Sequence, residues 1–110
     1  MRNMERKKAV RVLEALSSRP RLAVYSLLMK ADIGGLSAGD IARSLDVASS
    51  SLSFHLKELM MAGVVICEQR GRQTFYSPNV QAIRDLIGFL TESCCAEEAS
   101  VLGSGSSMSE

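Results

Sequence analysis

The stretch Ser49-Ser50-Ser51-Leu52-Ser53-Phe54-His55-Leu56-Lys57-Glu58-Leu59-Met60-Met61-Ala62-Gly63 decides how the chain is read. Leu52, His55, Leu56 and Leu59 stand at i, i+3, i+4 and i+7, which places them on one face of a helix. Ser49 or Ser50 is expected to cap its start and Gly63 to stop it. The other stripe, Ser50, Ser53, Phe54 and Lys57, offers short hydroxyls and an aromatic where an ordinary solvated helix carries long charges. Serine is a poor mid-helix residue. It does let a helix backbone approach base edges and phosphates, while phenylalanine suits a thymine methyl and lysine a phosphate. The bland alternative is that the serines only cap the helix and Phe54 is a stray exposed aromatic.

Immediately upstream, Ser37 and Asp40 have capping-box spacing and open a short helix with Ala38, Ile41, Ala42 and Leu45 along one side. Asp46-Val47-Ala48 leaves room only for a tight turn. Downstream, Val64 to Gln69 and Gln73 to Ser77 are rich in β-branched and aromatic residues around the turn Arg70-Gly71-Arg72, and together predict a hairpin. A pair of short helices followed by a basic-tipped hairpin describes a winged helix-turn-helix. In this reading the two guanidiniums of Arg70 and Arg72 reach phosphates or a minor groove.

Further out, Ala9, Val12, Leu13 and Leu16 predict an amphipathic first helix over about Met4 to Ser17. Ser18 and Pro20 open a second helix through Leu22, Val24, Tyr25, Leu27 and Leu28, and Asp32 to Leu36 breaks it. Ser77-Pro78 is read as a cap with a proline in the first turn of a last helix, on which Val80, Ile83, Ile87 and Leu90 form the apolar stripe. The expected order is ααααββα: mostly α, with a β-hairpin wing.

The chain has 110 residues, 46% of them hydrophobic and 23% charged. That suits one globular domain and leaves no room for a second, catalytic one. No apolar run is long enough to span a bilayer, and the charged N-terminus lacks the apolar core of a signal peptide, so a cytoplasmic protein is expected. The net charge is +1, yet it is unevenly spread. Residues 1–30 carry eight Lys/Arg against Glu5 and Glu14, residues 31–84 are balanced, and residues 85–110 hold five acids and no base. Such asymmetry is a weak electrostatic signal. Residues 1–95 are expected to form the DNA-binding and dimerisation domain, and residues 96–110 a disordered acidic, Gly/Ser-rich tail.

Ala15-Leu16-Ser17, Arg21-Leu22, the block Ser51 to Leu59 with Ala62-Gly63-Val64-Val65, Arg70-Gly71-Arg72 and Tyr76 together resemble the ArsR/SmtB family of bacterial repressors. The likeness spans residues 8–95. It implies a homodimer joined through the first and last helices, bound to an imperfectly palindromic double-stranded DNA operator until an inducer releases it. It also places Ser49, Ser50, Ser53 and Phe54 where the family reads bases, and Arg70 and Arg72 in the wing. The family's Cys-x-Cys arsenite motif would fall near Leu36 to Ile41, where there is no cysteine. Its zinc and cobalt site on the last helix needs histidines to join Asp85, and there are none.

The three cysteines, Cys67, Cys94 and Cys95, are an odd number in a chain without a secretion signal, so reduced thiols are expected rather than a disulfide framework. Similar adjacent pairs at the end of the last helix occur in arsenic-responsive members of the family. Trivalent arsenic and antimony are soft centres that bond to thiolates, so Cys94 and Cys95 are the expected inducer ligands, with no resident cofactor. Cys67 is read either as a third ligand or, more simply, as a small buried apolar residue. Oxidation or persulfidation of the same thiols is the rival regulatory reading. A small thiol-redox enzyme is a remote one, for the chain lacks Cys-x-x-Cys and a general base. His55, the single histidine, can build no metal cluster and is expected to be a satisfied, mostly buried residue that orients its helix.

Overall fold

The computed structural model describes the backbone of residues 4–102 and the side chains of residues 4–92. Its elements are α1 (Arg6–Leu16), α2 (Arg19–Lys30), β1 (Leu36–Ser37), α3 (Ala38–Leu45), α4 (Ser49–Met61), β2 (Val65–Arg70), β3 (Gln73–Pro78) and α5 (Val80–Leu102). This is the expected winged helix-turn-helix with one strand added. β1 pairs antiparallel with β3, Leu36 opposite Tyr76 and Ser37 opposite Phe75, so the wing is a three-stranded sheet ordered β1-β3-β2.

Local chemistry sets most of the boundaries. The Ser18 side chain accepts from the Arg21 N–H at 3.3 Å, with Pro20 tolerated in the first turn of α2. At α3 the capping box is complete: the Asp40 N–H donates to Ser37 Oγ at 3.2 Å, and the Ser37 N–H to Asp40 Oδ2 at 3.4 Å. Ser37→Ala should therefore lower stability by about 1 kcal/mol, read as a shift of the urea midpoint with an unchanged slope. Asp46 ends α3 at φ 55°, a left-handed position that aspartate tolerates better than most residues. Gly63 follows α4 at φ +80°, the helix stop its sequence predicts.

Two expected caps are corrected. The N-cap of α4 is Ala48, which gives no side-chain cap, so Ser49 and Ser50 lie inside the first turn. Pro78 ends β3 opposite Val65, and Asn79 precedes α5, its Nδ2 donating to the Gly63 carbonyl at 2.8 Å. Asn79 thus ties the end of α4 to the start of α5.

Leu28, Ile41, Leu52, Leu59, Val12, Val24, Val64 and Val65 are the large side chains of the core. They come from α1 to α4 and the root of the wing. Tyr25 is buried with them, and its hydroxyl has no partner among the described residues; desolvation raises its pKa. The outer helices bury only part of their apolar stripes, as expected of a dimerisation pair. On α1 the buried residues are Ala9, Val12 and Ala15 while Leu13 is 43% exposed. On α5 Ala82 and Leu86 are buried, whereas Val80, Ile87 and Leu90 are exposed. The stripes exceed what one chain buries, and one chain has no core left to cover the rest. α5 is also longer than expected. Its backbone stays helical to Leu102, because Ala96, Glu97, Glu98 and Ala99 favour helix and no glycine or proline intervenes before Gly103. Residues 103–110 of the expected tail lie outside the described residues.

Candidate nucleic-acid interface

Leu52, Leu56 and Leu59 are 2% exposed or less, so they seat α4 on the core and fix which side faces out. That side carries Ser49, Ser50, Ser53, Phe54 and Lys57, all exposed. No side-chain hydrogen bond or ion pair engages these residues among the described ones, so three hydroxyls and an ammonium are free. With Ala48 as the cap, the first N–H groups of α4 also lack a side-chain acceptor, and the helix dipole makes that end attractive to anions.

Phe54 is 55% exposed and lies edge-on to His55, ring centroids 5.7 Å apart. The neighbouring ring limits the directions in which Phe54 projects. His55 itself departs from the reading. It is half-buried rather than mostly buried, and its Nδ1 is buried without a hydrogen-bond partner among the described residues. It shares its stripe with leucines, which supply no acceptor or donor.

In the wing, Arg70 opposite Gln73 is the last pair, and Gly71-Arg72 forms a two-residue turn. Gly71 has φ +65° and Arg72 does not have a positive φ, the pattern of a type II′ hairpin turn with glycine in the first central position. Arg72 therefore stands exposed at the tip, with no ion pair among the described residues. Arg70 is engaged with its own chain. Its guanidinium lies 4.0 Å from the Phe75 ring centroid, donates to the Gly34 carbonyl, and sits 3.8 Å from Glu68 Oε1.

A cleft beside the wing has no counterpart in the sequence reading. An open cleft of about 590 Å³ runs between the start of α3 and β3, lined by Ser37, Asp40, Arg43, Thr74, Phe75 and Tyr76 among others. Arg43, 75% exposed, is paired with Asp40 at 2.6 Å. The i, i+3 charge spacing of that pair was the available signal.

The thiols are not brought together by anything described. Cys67 lies on β2 opposite Tyr76 and is exposed, which corrects its reading as a buried filler: the sheet extends past the core beyond Val65. Cys94 and Cys95 fall on the helical backbone of α5, with side chains outside the described residues. Consecutive positions on a regular helix point about 100° apart. Among the described residues no group of three or more His, Cys, Asp or Glu is placed to hold a metal, and no helix is long and apolar enough to cross a membrane.

A helix-turn-helix domain family matches residues 16–68. Over 79 residues the chain is 32% identical to the transcriptional repressor SdpR of Bacillus subtilis, covering 72% of this chain and 84% of that protein. It is 30% identical over 83 residues to the arsenical resistance operon repressor of the same organism, covering 74% of each. Among solved structures, an ArsR-like transcriptional regulator from Rhodococcus superposes with a TM-score of 0.80 at 24% identity, over 93% of this chain and 96% of that one.

Proposed function

The chain belongs to the ArsR family of winged helix-turn-helix transcriptional regulators, and from that premise we propose that it is a homodimeric repressor released from its operator by a trivalent arsenical bound to Cys94 and Cys95. The observation that carries the reading is the exposed stripe of Ser49, Ser50, Ser53, Phe54 and Lys57 on α4. Its hydroxyls and N–H groups contact bases and phosphates in the major groove, while Arg72 reaches the backbone from the wing.

The dimer rests on the apolar surface a single copy leaves uncovered. α1 and α5 pack against each other, and Val10, Leu13, Ile87 and Leu90 on them are 43–56% exposed. A second copy covers these residues through a two-fold axis, which sets the two α4 helices toward successive major grooves of a palindrome. Binding DNA places the protein in the cytoplasm.

The inducer rests on the adjacent thiols and on the likeness to an arsenical resistance operon repressor. With a monomethyl arsenical bearing two hydroxyls, each thiol forms an As–S bond while its proton leaves with a hydroxyl as water. Two sulfurs from consecutive helical positions chelate one arsenic only if the helix end unwinds. Distortion of α5 then passes to the dimer face and to the spacing of the two α4 helices. The exposure of Cys67 favours a second reading in the same fold, in which oxidation or persulfidation of thiols is the signal. A thiol-redox enzyme finds no support among relatives that regulate transcription.

The test titrates methylarsenite, arsenite, antimonite, peroxide and polysulfide against the protein bound to a duplex from upstream of its own gene. The wild type should release DNA with trivalent arsenicals and the Cys94→Ser/Cys95→Ser variant should stay bound, its affinity without inducer unchanged. Release of the double variant at the same arsenical concentration overturns the inducer assignment. Release by peroxide or polysulfide alone selects the second reading.

A further inference from the structure

We infer that the two wing arginines have different tasks: Arg72 contacts the duplex, whereas Arg70 is a positioning residue that braces the wing against the loop between α2 and β1. The inference rests on the DNA-binding reading above and deepens it.

Three contacts made by one guanidinium carry the argument. Glu68 and Phe75 are directly opposite one another on β2 and β3, so their side chains share one face of the sheet, and Arg70 joins them two positions along. Its planar group lies 4.0 Å from the Phe75 ring centroid, within the range where the ring quadrupole attracts a cation. The Glu68 carboxylate stands 3.8 Å from Nε of the same group, an exposed pair that adds little energy but holds an anion beside it. An N–H of the same group donates to the Gly34 carbonyl, 36 positions earlier in the chain.

The loop that receives this hydrogen bond is itself fixed. The Gly35 N–H donates to the Asp32 carbonyl at 3.2 Å, closing a turn in which Gly34 holds the positive φ of a third turn position. Gly35 presses its Cα on the β3 backbone: a Cβ there would lie 2.3 Å from the Tyr76 carbonyl oxygen. The loop continues from α2, which packs on α4. Arg70 therefore links the outer half of the wing to the body that holds α4. It sets where Arg72, two residues on at the tip, stands relative to Ser50 and Ser53. Lysine cannot substitute, since it lacks the flat group that stacks and bonds sideways at once.

The experiment compares Arg70→Ala, Arg70→Lys, Arg72→Ala and Phe75→Leu in the full chain. It measures duplex affinity from 50 to 300 mM salt and amide exchange at Gly35. Losing Arg72 from both protomers should flatten the slope of log K against log salt by about 1.8, two contacts at ~0.9 each, with exchange at Gly35 unchanged. Arg70→Ala, Arg70→Lys and Phe75→Leu should each weaken binding by about five- to tenfold, the scale of one lost stack and hydrogen bond. They should do so equally at every salt concentration and should speed Gly35 exchange. If Arg70→Ala flattens the slope as Arg72→Ala does, or if Arg70→Lys restores wild-type affinity, Arg70 is a phosphate contact and the inference is overturned. Should the wild type bind no duplex, the DNA-binding reading falls, and Gly35 exchange alone still decides whether Arg70 is a brace.

Discussion

Glutamate in place of Ser53 is expected to lower duplex affinity at least 100-fold without costing stability. Ser53 is exposed in the middle of α4, between Ser50 one turn before and Lys57 one turn after. A carboxylate there meets the duplex with its own sign of charge, and such a juxtaposition costs several kcal/mol; ~3 kcal/mol corresponds to the stated loss. The folded state gains slightly, because glutamate is a better helix former than serine and touches nothing in the core. Fluorescence anisotropy with the upstream duplex, alongside a urea melt, separates the two effects. Ser53→Ala, which removes only the hydroxyl, should cost far less affinity. Binding by Ser53→Glu at wild-type strength would mean that this stripe does not face DNA.

The largest loss of stability is expected from Gly35→Ala. At φ +81° an alanine carries a left-handed penalty of about 1–2 kcal/mol. Its Cβ would lie 2.3 Å from the Tyr76 carbonyl oxygen and 2.7 Å from Ser77 Oγ. The first of these is backbone, so β1 must separate from β3, and overpacking of this kind costs about 1–3 kcal/mol. Together they amount to ~3 kcal/mol, a large share of the stability of a small domain. Gly63→Ala is the internal control. Its φ is +80°, yet no atom lies within 4 Å of the added carbon, so only the conformational penalty applies. Urea midpoints for the two variants should therefore differ by about 2 kcal/mol once converted through a shared slope; equal midpoints would show that β3 yields freely at this point.

Features governed by neighbours in sequence are legible in the sequence itself. The Ser37–Asp40 capping box, the leucine stripe of α4, Gly63 as a stop and Gly71 in the hairpin turn all follow from residues within one or two turns of each other. β1 stays hidden because two residues have no periodicity, and its partner lies far along the chain. Pro78 is misplaced because a proline before a helical pattern looks the same at the end of a strand as in a first helical turn. Leu13, Ile87 and Leu90 are legible as apolar stripes, but hydrophobicity identifies a surface that avoids water without saying which surface covers it. Arg70 is the sharpest case at the candidate site. Nothing near it in sequence names Gly34 as its acceptor, so two arginines flanking a glycine look equivalent when only one is free.

The pairing of Leu36 with Tyr76 also has a kinetic side. It joins residues about 40 positions apart, and the segment it closes contains the whole of α3 and α4. Helices form quickly from local contacts, while a closure of this span is slow and adds little until it is made. α3 and α4 should thus acquire their helical form early in folding, and their fixed bearing to the wing only when a two-residue strand zips onto β3. Opening that short ladder in the native state should expose only the amides that bridge β1 and β3, well below the free energy of global unfolding.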